Sequence, residues 1–259
     1  MSVIVQRAAR ALVRPVERLL PPRYALPFEI LRERLAGRLE REIFLLDALA
    51  GRRRELALDV GANRGYYAYH LAKLFRRVEA FEPNPAVLGP LRAWGAGNVA
   101  IRNVAVSCTE GETELFVPIV NGVRQPGWAS FDRDNLPGAH DFEVIRVPVR
   151  PLDAFGFRGV SFVKMDVEGH EPAALRGAER TLRENQPVVL LEVKEKNRDG
   201  VFAFFDALGY APFRVREGRL APVGASGEAD GENFVFRPAE GARRGLSAQA
   251  ASAPLAGYA

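Results

Sequence analysis

One junction constrains the fold more than any other. The apolar run Leu56 to Val60 passes straight into Gly61-Ala62-Asn63-Arg64-Gly65, and a helical pattern follows to about Phe75. An apolar run this short, bounded by a turn signal, reads as a buried strand. Gly61 and Gly65 let the chain turn sharply and let its backbone approach a ligand with no Cβ in the way. Asn63 lies between them, and asparagine is enriched among non-glycine residues in the left-handed region. A strand entering a helix through such a turn is the opening unit of a doubly wound α/β sheet.

The alternation continues downstream. Val78 to Phe81 reads as a strand ending at Glu82, followed by Pro83-Asn84-Pro85 and a helix to Trp94. Val99 to Ser107, Val160 to Val167 and Val188 to Val193 read as further strands, with helices over Pro172 to Asn185 and Val201 to Leu208. Thr113 to Val117 and Val144 to Val147 alternate and predict an antiparallel pair, joined by a long 118–142 connection. Ala211 to Arg216 and Asn233 to Phe236 read as the last strands. The expected fold is α/β: a Rossmann-like doubly wound sheet, mostly parallel with a C-terminal antiparallel strand. The expected divisions are a helical N-terminal extension over 1–50 lying outside the main fold, a domain over 51–237, and a disordered tail over 238–259. That tail is Gly, Ala, Ser and Pro with few large apolar residues.

Ligands of such sheets sit beyond the carboxyl ends of the strands, where the strand order reverses. A dinucleotide site wants G-x-G-x-x-G, with helix amides on a pyrophosphate. Here the spacing is G-x-x-x-G with Asp59 before it. An acid at that position suits a ligand bearing an ammonium group and disfavours a pyrophosphate. Glu82, at the end of the adjacent strand, can accept both hydroxyls of a ribose. S-adenosylmethionine carries an ammonium, a sulfonium and a ribose and no phosphate, so it is the expected cofactor. An NAD-dependent enzyme and a binding or scaffold module without turnover are the competing readings.

The segments D-V-G-A-N-R-G-Y-Y at 59–67, F-E-P-N-P at 81–85, N-V-A-V-S at 103–107, K-M-D-V-E-G-H-E at 164–171, L-R-G-A at 175–178 and P-V-V-L-L-E at 187–192 together resemble the FkbM family of S-adenosylmethionine-dependent methyltransferases. The resemblance covers about residues 55 to 236. It implies a methyltransferase fold and O-methylation of a hydroxyl on a sugar, glycolipid or natural-product acceptor. It assigns Asp59, Gly61, Asn63 and Gly65 to the methionine end of the cofactor, with Tyr66 a further cofactor-binding candidate. Glu82 is assigned to the ribose, and Asn103 to Ala105 to the adenine edge. Ala68 and Cys108 depart from the family pattern, where a hydroxyl residue and an acid are common.

Asp59, Asp166 and Glu192 are expected together at neighbouring strand ends, where they repel unless something neutralises them. The sulfonium, a divalent metal and Lys164 are the candidates. Lys164 is two residues before Asp166 on the same face of its strand, and a pairing with Glu192 is expected of it. Asp166 with Glu168 or Glu192 could ligate Mg²⁺, although nothing in the sequence demands a metal. A hydroxyl acceptor needs a general base. His170 has the most suitable intrinsic pKa, with Asp166, Glu168 and Glu171 as alternatives from the same loop. Trp128, Ser130 and His140 belong to the connection expected to cover an acceptor pocket.

Composition narrows the partners. The net charge of +4 comes almost wholly from arginine, because Lys73, Lys164, Lys194 and Lys196 are the only lysines. Past the N-terminus the arginines are dispersed among acids with no aromatic-laced basic stripe, so no nucleic-acid partner is expected. One cysteine, Cys108, excludes an internal disulfide and a cysteine-rich zinc cluster. The absence of a signal pattern and of any long apolar run predicts a cytoplasmic protein. Arg7, Arg10, Arg14 and Arg18 line one helical face of the N-terminal segment. Two readings fit them: a helix docked on its own domain, or peripheral contact with an anionic membrane.

Overall fold

The computed structural model describes residues 19–136, 138–139, 141–216, 218–223 and 232–239. The arginines at 7 to 18, His140 and the tail from 240 onward lie outside the described residues.

Among the described residues the main sheet has eight strands in the order β3-β2-β1-β8-β9-β12-β10-β11. The parallel part comprises β1 (Leu56–Val60), β2 (Arg77–Phe81), β3 (Val99–Arg102), β8 (Val160–Met165) and β9 (Val188–Glu192). The chain steps outward from β1 to β3, then returns to lay β8 on the other side of β1. The order therefore reverses between β1 and β8. At the far edge β10 (Tyr210–Arg216), β11 (Arg219–Pro222) and β12 (Asn233–Pro238) pair antiparallel, with β12 antiparallel to β9. This is the Rossmann-like, mostly parallel sheet the alternation predicts, with β11 as a third strand in the antiparallel part.

Strand side chains alternate between two cores, which is the period-2 rule for a sheet buried on both faces. Ala57, Ala80, Phe162 and Leu190 pack on one side with Leu26, Ile30, Leu46, Leu49 and Leu71. Leu58, Val60, Val163 and Leu191 pack on the other with Leu175, Leu182, Val201 and Phe205. The first group corrects one expectation. The helices α1 (Ala25–Leu35) and α2 (Leu46–Ala50) are a layer of the domain and not an appendage outside it, because Leu26, Leu46 and Leu49 are at most 1% exposed. Between the two helices the chain turns at Gly37, which sits at φ +64.

Two further helices are shorter than expected. The one after the glycine turn, α3, covers Tyr66–Leu71, and α4 covers Gly89–Trp94. The helix expected over 172–185 is two, α5 (Glu171–Arg176) and α6 (Glu179–Asn185), separated at Gly177. A Cβ on Gly177 would fall 1.9 Å from the carbonyl oxygen of Ser107, so the break is where this backbone passes another. The last helix, α7, covers Arg198–Ala207.

A second sheet lies over the carboxyl ends of the first. It contains β4 (Ala105–Val106), β5 (Gly111–Val120), β6 (Val123–Arg124) and β7 (Asp141–Arg150) in the order β4-β7-β5-β6. The expected antiparallel pair is its centre, and β5 pairs with β7 from Gly111↔Val149 to Ile119↔Asp141. The strand expected over 99–107 is divided, β3 staying in the main sheet and β4 crossing to this one.

Candidate functional site

Reversal of the strand order leaves a cleft at the ends of β1, β2 and β8, and the second sheet roofs it. The cleft holds a cavity of about 60 Å³ beneath that roof. Val60, Gly61, Asn63, Glu82, Asp166 and Glu168 line its floor, and Ala105, Leu115, Gly127 and Phe131 its roof.

The floor is built by backbone. Gly61 adopts φ +81, and a Cβ there would fall 1.7 Å from the carbonyl oxygen of Asp166. Only glycine lets the β1 turn pass this close to β8. The amides of Gly61 and Ala62 both donate to Phe81 O at 2.9 Å, which ties the turn to β2. Asn63, at φ +48, uses the left-handed conformation that its residue type predicts.

Glu82 is 7% exposed. Its Oε2 accepts the Asn63 amide at 2.8 Å and its Oε1 the Asn84 amide at 2.7 Å. Burial pushes its pKa up to about 7 against the lowering effect of those two amides. Each carboxylate oxygen keeps acceptor capacity beyond one amide, so the group can still receive ribose hydroxyls. Asn103 donates to the carbonyls of Glu82 and Pro83 at 2.7 and 2.9 Å. Its amide thus holds the Glu82 turn in place, while Val104 and Ala105 line the cleft.

Three expected ligand contacts are placed elsewhere. Asp59 is 1% exposed and does not line the cleft; it stands in register with Lys164 on the adjacent strand. The Ala68 backbone favours its charged form without reaching hydrogen-bond geometry, and burial raises its pKa to about 7. Tyr66 donates to Glu29 at 2.8 Å, beside Arg64 on the same carboxylate, and so fastens α3 to α1. Gly65 caps α3 and packs on Leu91.

The expected Lys164–Glu192 ion pair is not formed. The Lys164 ammonium is 3.6 Å from Asp166 Oδ2, and Lys194 takes Glu192 at 2.8 Å. The two expected partners do share a face, since Lys164 is in register with Leu190 and Glu192 is two residues further along β9. Lys194 is simply nearer. Lys164 is 1% exposed and lies over the Tyr67 ring, whose hydroxyl donates to Glu40 at 2.6 Å. Burial works against its charge, but Asp166, Glu40, Glu192 and Asp59 outweigh that and raise its pKa.

Carboxylate oxygens of Asp166, Glu168 and Glu192 lie within 4.8 Å of one another. Lys194 also reaches Glu168 at 3.3 Å and Glu232 at 3.2 Å, so its ammonium neutralises the group from one side. Asp166 is raised, by burial first, against the pull of Lys164. Glu168, raised by burial to about 7, adopts φ +48. A non-glycine residue held in that conformation is often one whose side chain must be aimed.

His170 sits behind the lining. Its Nε2 is 3.0 Å from Ser107 Oγ, its ring packs on Phe131, and burial lowers its pKa. Glu171 is fully buried, accepting from Gly169 and Asn197, and holds the start of α5.

Asn84, Asn135, Lys194 and Glu40, not singled out in the sequence, complete the site together with Asn63 and Ser130. Asn84 Nδ2 donates to Pro126 O and Asn63 Nδ2 to Gly127 O, both at 2.9 Å. Ser130 and Asn135 donate to Glu168 O at 2.9 and 2.8 Å. These four side chains clasp the segment 126–135 over the cleft, leaving Trp128 59% exposed above it. Asn84 lies inside the F-E-P-N-P segment and Lys194 keeps alternate-residue spacing from Glu192, so both had a signal. Glu40 had none.

The family model for the methyltransferase FkbM domain matches residues 59–212. No curated protein matches the sequence. Among solved structures, the methyltransferase FkbM of Methylobacillus flagellatus KT aligns over 71% of this chain at 18% identity and a TM-score of 0.48. This chain spans 44% of that one. The SMU.1697c protein of Streptococcus mutans, solved in complex with SAH, aligns over 76% of this chain and 97% of its own at 13% identity and a TM-score of 0.45. Precorrin-6y C5,15-methyltransferase of Geobacter metallireducens GS-15 aligns over 76% and 87%, at 16% identity and a TM-score of 0.42. Among the described residues no helix is long and apolar enough to cross a membrane.

Proposed function

The chain belongs to the methyltransferase FkbM domain family, and from that premise we propose that it binds S-adenosylmethionine in the roofed cleft and methylates a hydroxyl of a sugar, glycolipid or natural-product acceptor. The observation that carries the cofactor reading is the floor itself: a turn without a Cβ at Gly61, a buried carboxylate at Glu82 and an acid-rich wall at Asp166 and Glu168. A ribose suits Glu82, apolar Phe81, Val104 and Leu115 suit a flat base, and the acidic wall suits a cation. When bound, the cofactor supplies a methyl group on a positively charged sulfur.

The chain's own contribution is placement and one proton. Held hydroxyl and methyl must meet in line, so the clasped 126–135 segment, which excludes water and fixes the acceptor's approach, accounts for much of the rate. Trp128 offers an exposed ring at the mouth for a sugar face. Glu168 is the general base in this reading, in preference to His170. It lines the cleft with a pKa near 7, suited to accepting a proton at neutral pH, whereas His170 is turned to Ser107. Asp166 orients and balances Lys164.

Calorimetry with S-adenosylmethionine, SAH and NAD tests the cofactor; tight binding of NAD alone would overturn the reading. Transfer of labelled methyl into a cell extract tests turnover and begins to identify the acceptor. With that acceptor, E168Q is expected to lose about 10²- to 10⁴-fold in kcat with SAH affinity little changed, while H170A keeps most turnover. The reverse order would return the base to His170.

A further inference from the structure

Helix α1 carries an apolar stripe on each side. Leu26 and Ile30 face the core at 0% and 5% exposure. Tyr24, Phe28, Leu31 and Leu35 recur at spacings of four, three and four residues, which places them on the opposite side. There Leu35 is 80% exposed, Leu31 51% and Tyr24 45%, with Leu19 at 84% just before them and Phe44 at 37% beside them. Leu31 and Leu35 leave half or more of their apolar surface uncovered.

Two arginines lie over its rings. The guanidinium of Arg23 lies 4.8 Å over the Tyr24 ring and that of Arg34 5.6 Å over the Phe44 ring. Residues 1–41 hold nine arginines against four glutamates, a surplus of five, whereas the whole chain has a net charge of +4. The positive excess of the protein thus lies wholly in the stretch that carries the outward stripe. A second copy docked face to face would set one arginine-rich patch against another. A surface of anionic lipid meets both features, taking the leucines and tyrosine below the headgroups and the arginines among them.

We propose that the outward face of α1, with Arg23 and Arg34 beside it, is a peripheral docking surface for an anionic lipid bilayer. The inference stands apart from the cofactor reading, since none of these residues lines the cleft. Glu29 of the same helix holds Arg64 and Tyr66 on either side of Gly65, so docking would fix the height of the cleft over the membrane.

The test is sedimentation of the full chain with vesicles of phosphatidylcholine alone or mixed with phosphatidylglycerol. Binding to the mixed vesicles, weakened by salt, is expected. The variants L31S/L35S and R23Q/R34Q are each expected to lower it about tenfold or more with melting temperatures near wild type. Absence of binding to the anionic vesicles overturns the proposal. So does binding that neither variant alters, and so does light scattering that shows a dimer dissociated by L31S/L35S.

Discussion

Replacing Glu82 by Gln isolates the ribose contact and the proton it depends on. With a pKa of about 7, the carboxyl is about one quarter ionised at pH 6.5 and about nine tenths ionised at pH 8. Ribose hydroxyls donate to the ionised form, so wild-type affinity is expected to rise about fourfold across that interval. SAH is the ligand to use, because it shares the ribose and carries no sulfonium to couple with Asp166 and Glu168. In E82Q one amide of the Asn63 and Asn84 pair faces an NH₂ instead of an oxygen, and the charge is gone. Hydrogen bonds to charged groups contribute about 1.5–3 kcal/mol, so SAH affinity should fall by roughly tenfold or more, and the fourfold rise should vanish. Isothermal calorimetry at the two pH values reads both. A wild-type affinity that is flat or falls with pH, or an E82Q protein that keeps the full rise, would refute the reasoning.

Other sites give sharper structural tests. G61A puts a Cβ into the Asp166 carbonyl and should cost about 3 kcal/mol or more in denaturant unfolding, with cofactor binding lost. K164M leaves Asp59 and Asp166 without their nearest ammonium and should cost about 3–5 kcal/mol at pH 8; the cost should shrink at pH 6, below the Asp59 pKa of about 7, where that carboxyl takes up a proton. The unliganded wild type should itself lose stability between pH 6.5 and 8. Asp59 and Glu82 titrate near 7 when folded, well above the usual unfolded range, so the folded state holds more protons and stability falls as pH rises. Each contributes about 1 kcal/mol over that interval, and a melting temperature that rises instead would contradict the burial of these groups.

The parallel strands and the glycine turn were legible because they rest on local rules: apolar runs for buried parallel strands, and glycine and asparagine for the left-handed turn. The acids at the strand ends were legible for the same reason, since register follows from a period of two. What failed were questions of nearest neighbour. Whether Glu192 meets Lys164 or Lys194 depends on how the chain leaves β9, and the alternate spacing of Glu192 and Lys194 does not decide between them. The split at Gly177 answers to Ser107, some seventy residues earlier. The place of Asp59 behind the lining, instead of in it, follows from which face of β1 the α3 layer covers. Glu40 enters the site's underside from a stretch expected to lie outside the fold, because the outward polarity of that stretch says nothing about what its apolar face rests on.

The balance of charge at the strand ends bears on which ligand the cleft can hold. Asp59, Glu82, Asp166, Glu168 and Glu192 face two ammonium groups, those of Lys164 and Lys194, and Asp59, Glu82, Asp166 and Glu168 are raised above their ordinary range by burial. Such a site is short of positive charge. A pyrophosphate would deepen the imbalance, which argues against a dinucleotide more firmly than the missing third glycine does. A cation would relieve it and draw the carboxyls back toward ionisation, releasing protons as it binds. S-adenosylmethionine and SAH differ at this wall by one charge. The acidic wall should therefore hold the sulfonium form more tightly than SAH, and by a margin that widens from pH 6.5 to 8. Proton release measured in buffers of different ionisation enthalpy checks this directly: equal release for the two ligands would mean that the wall does not sense the sulfur.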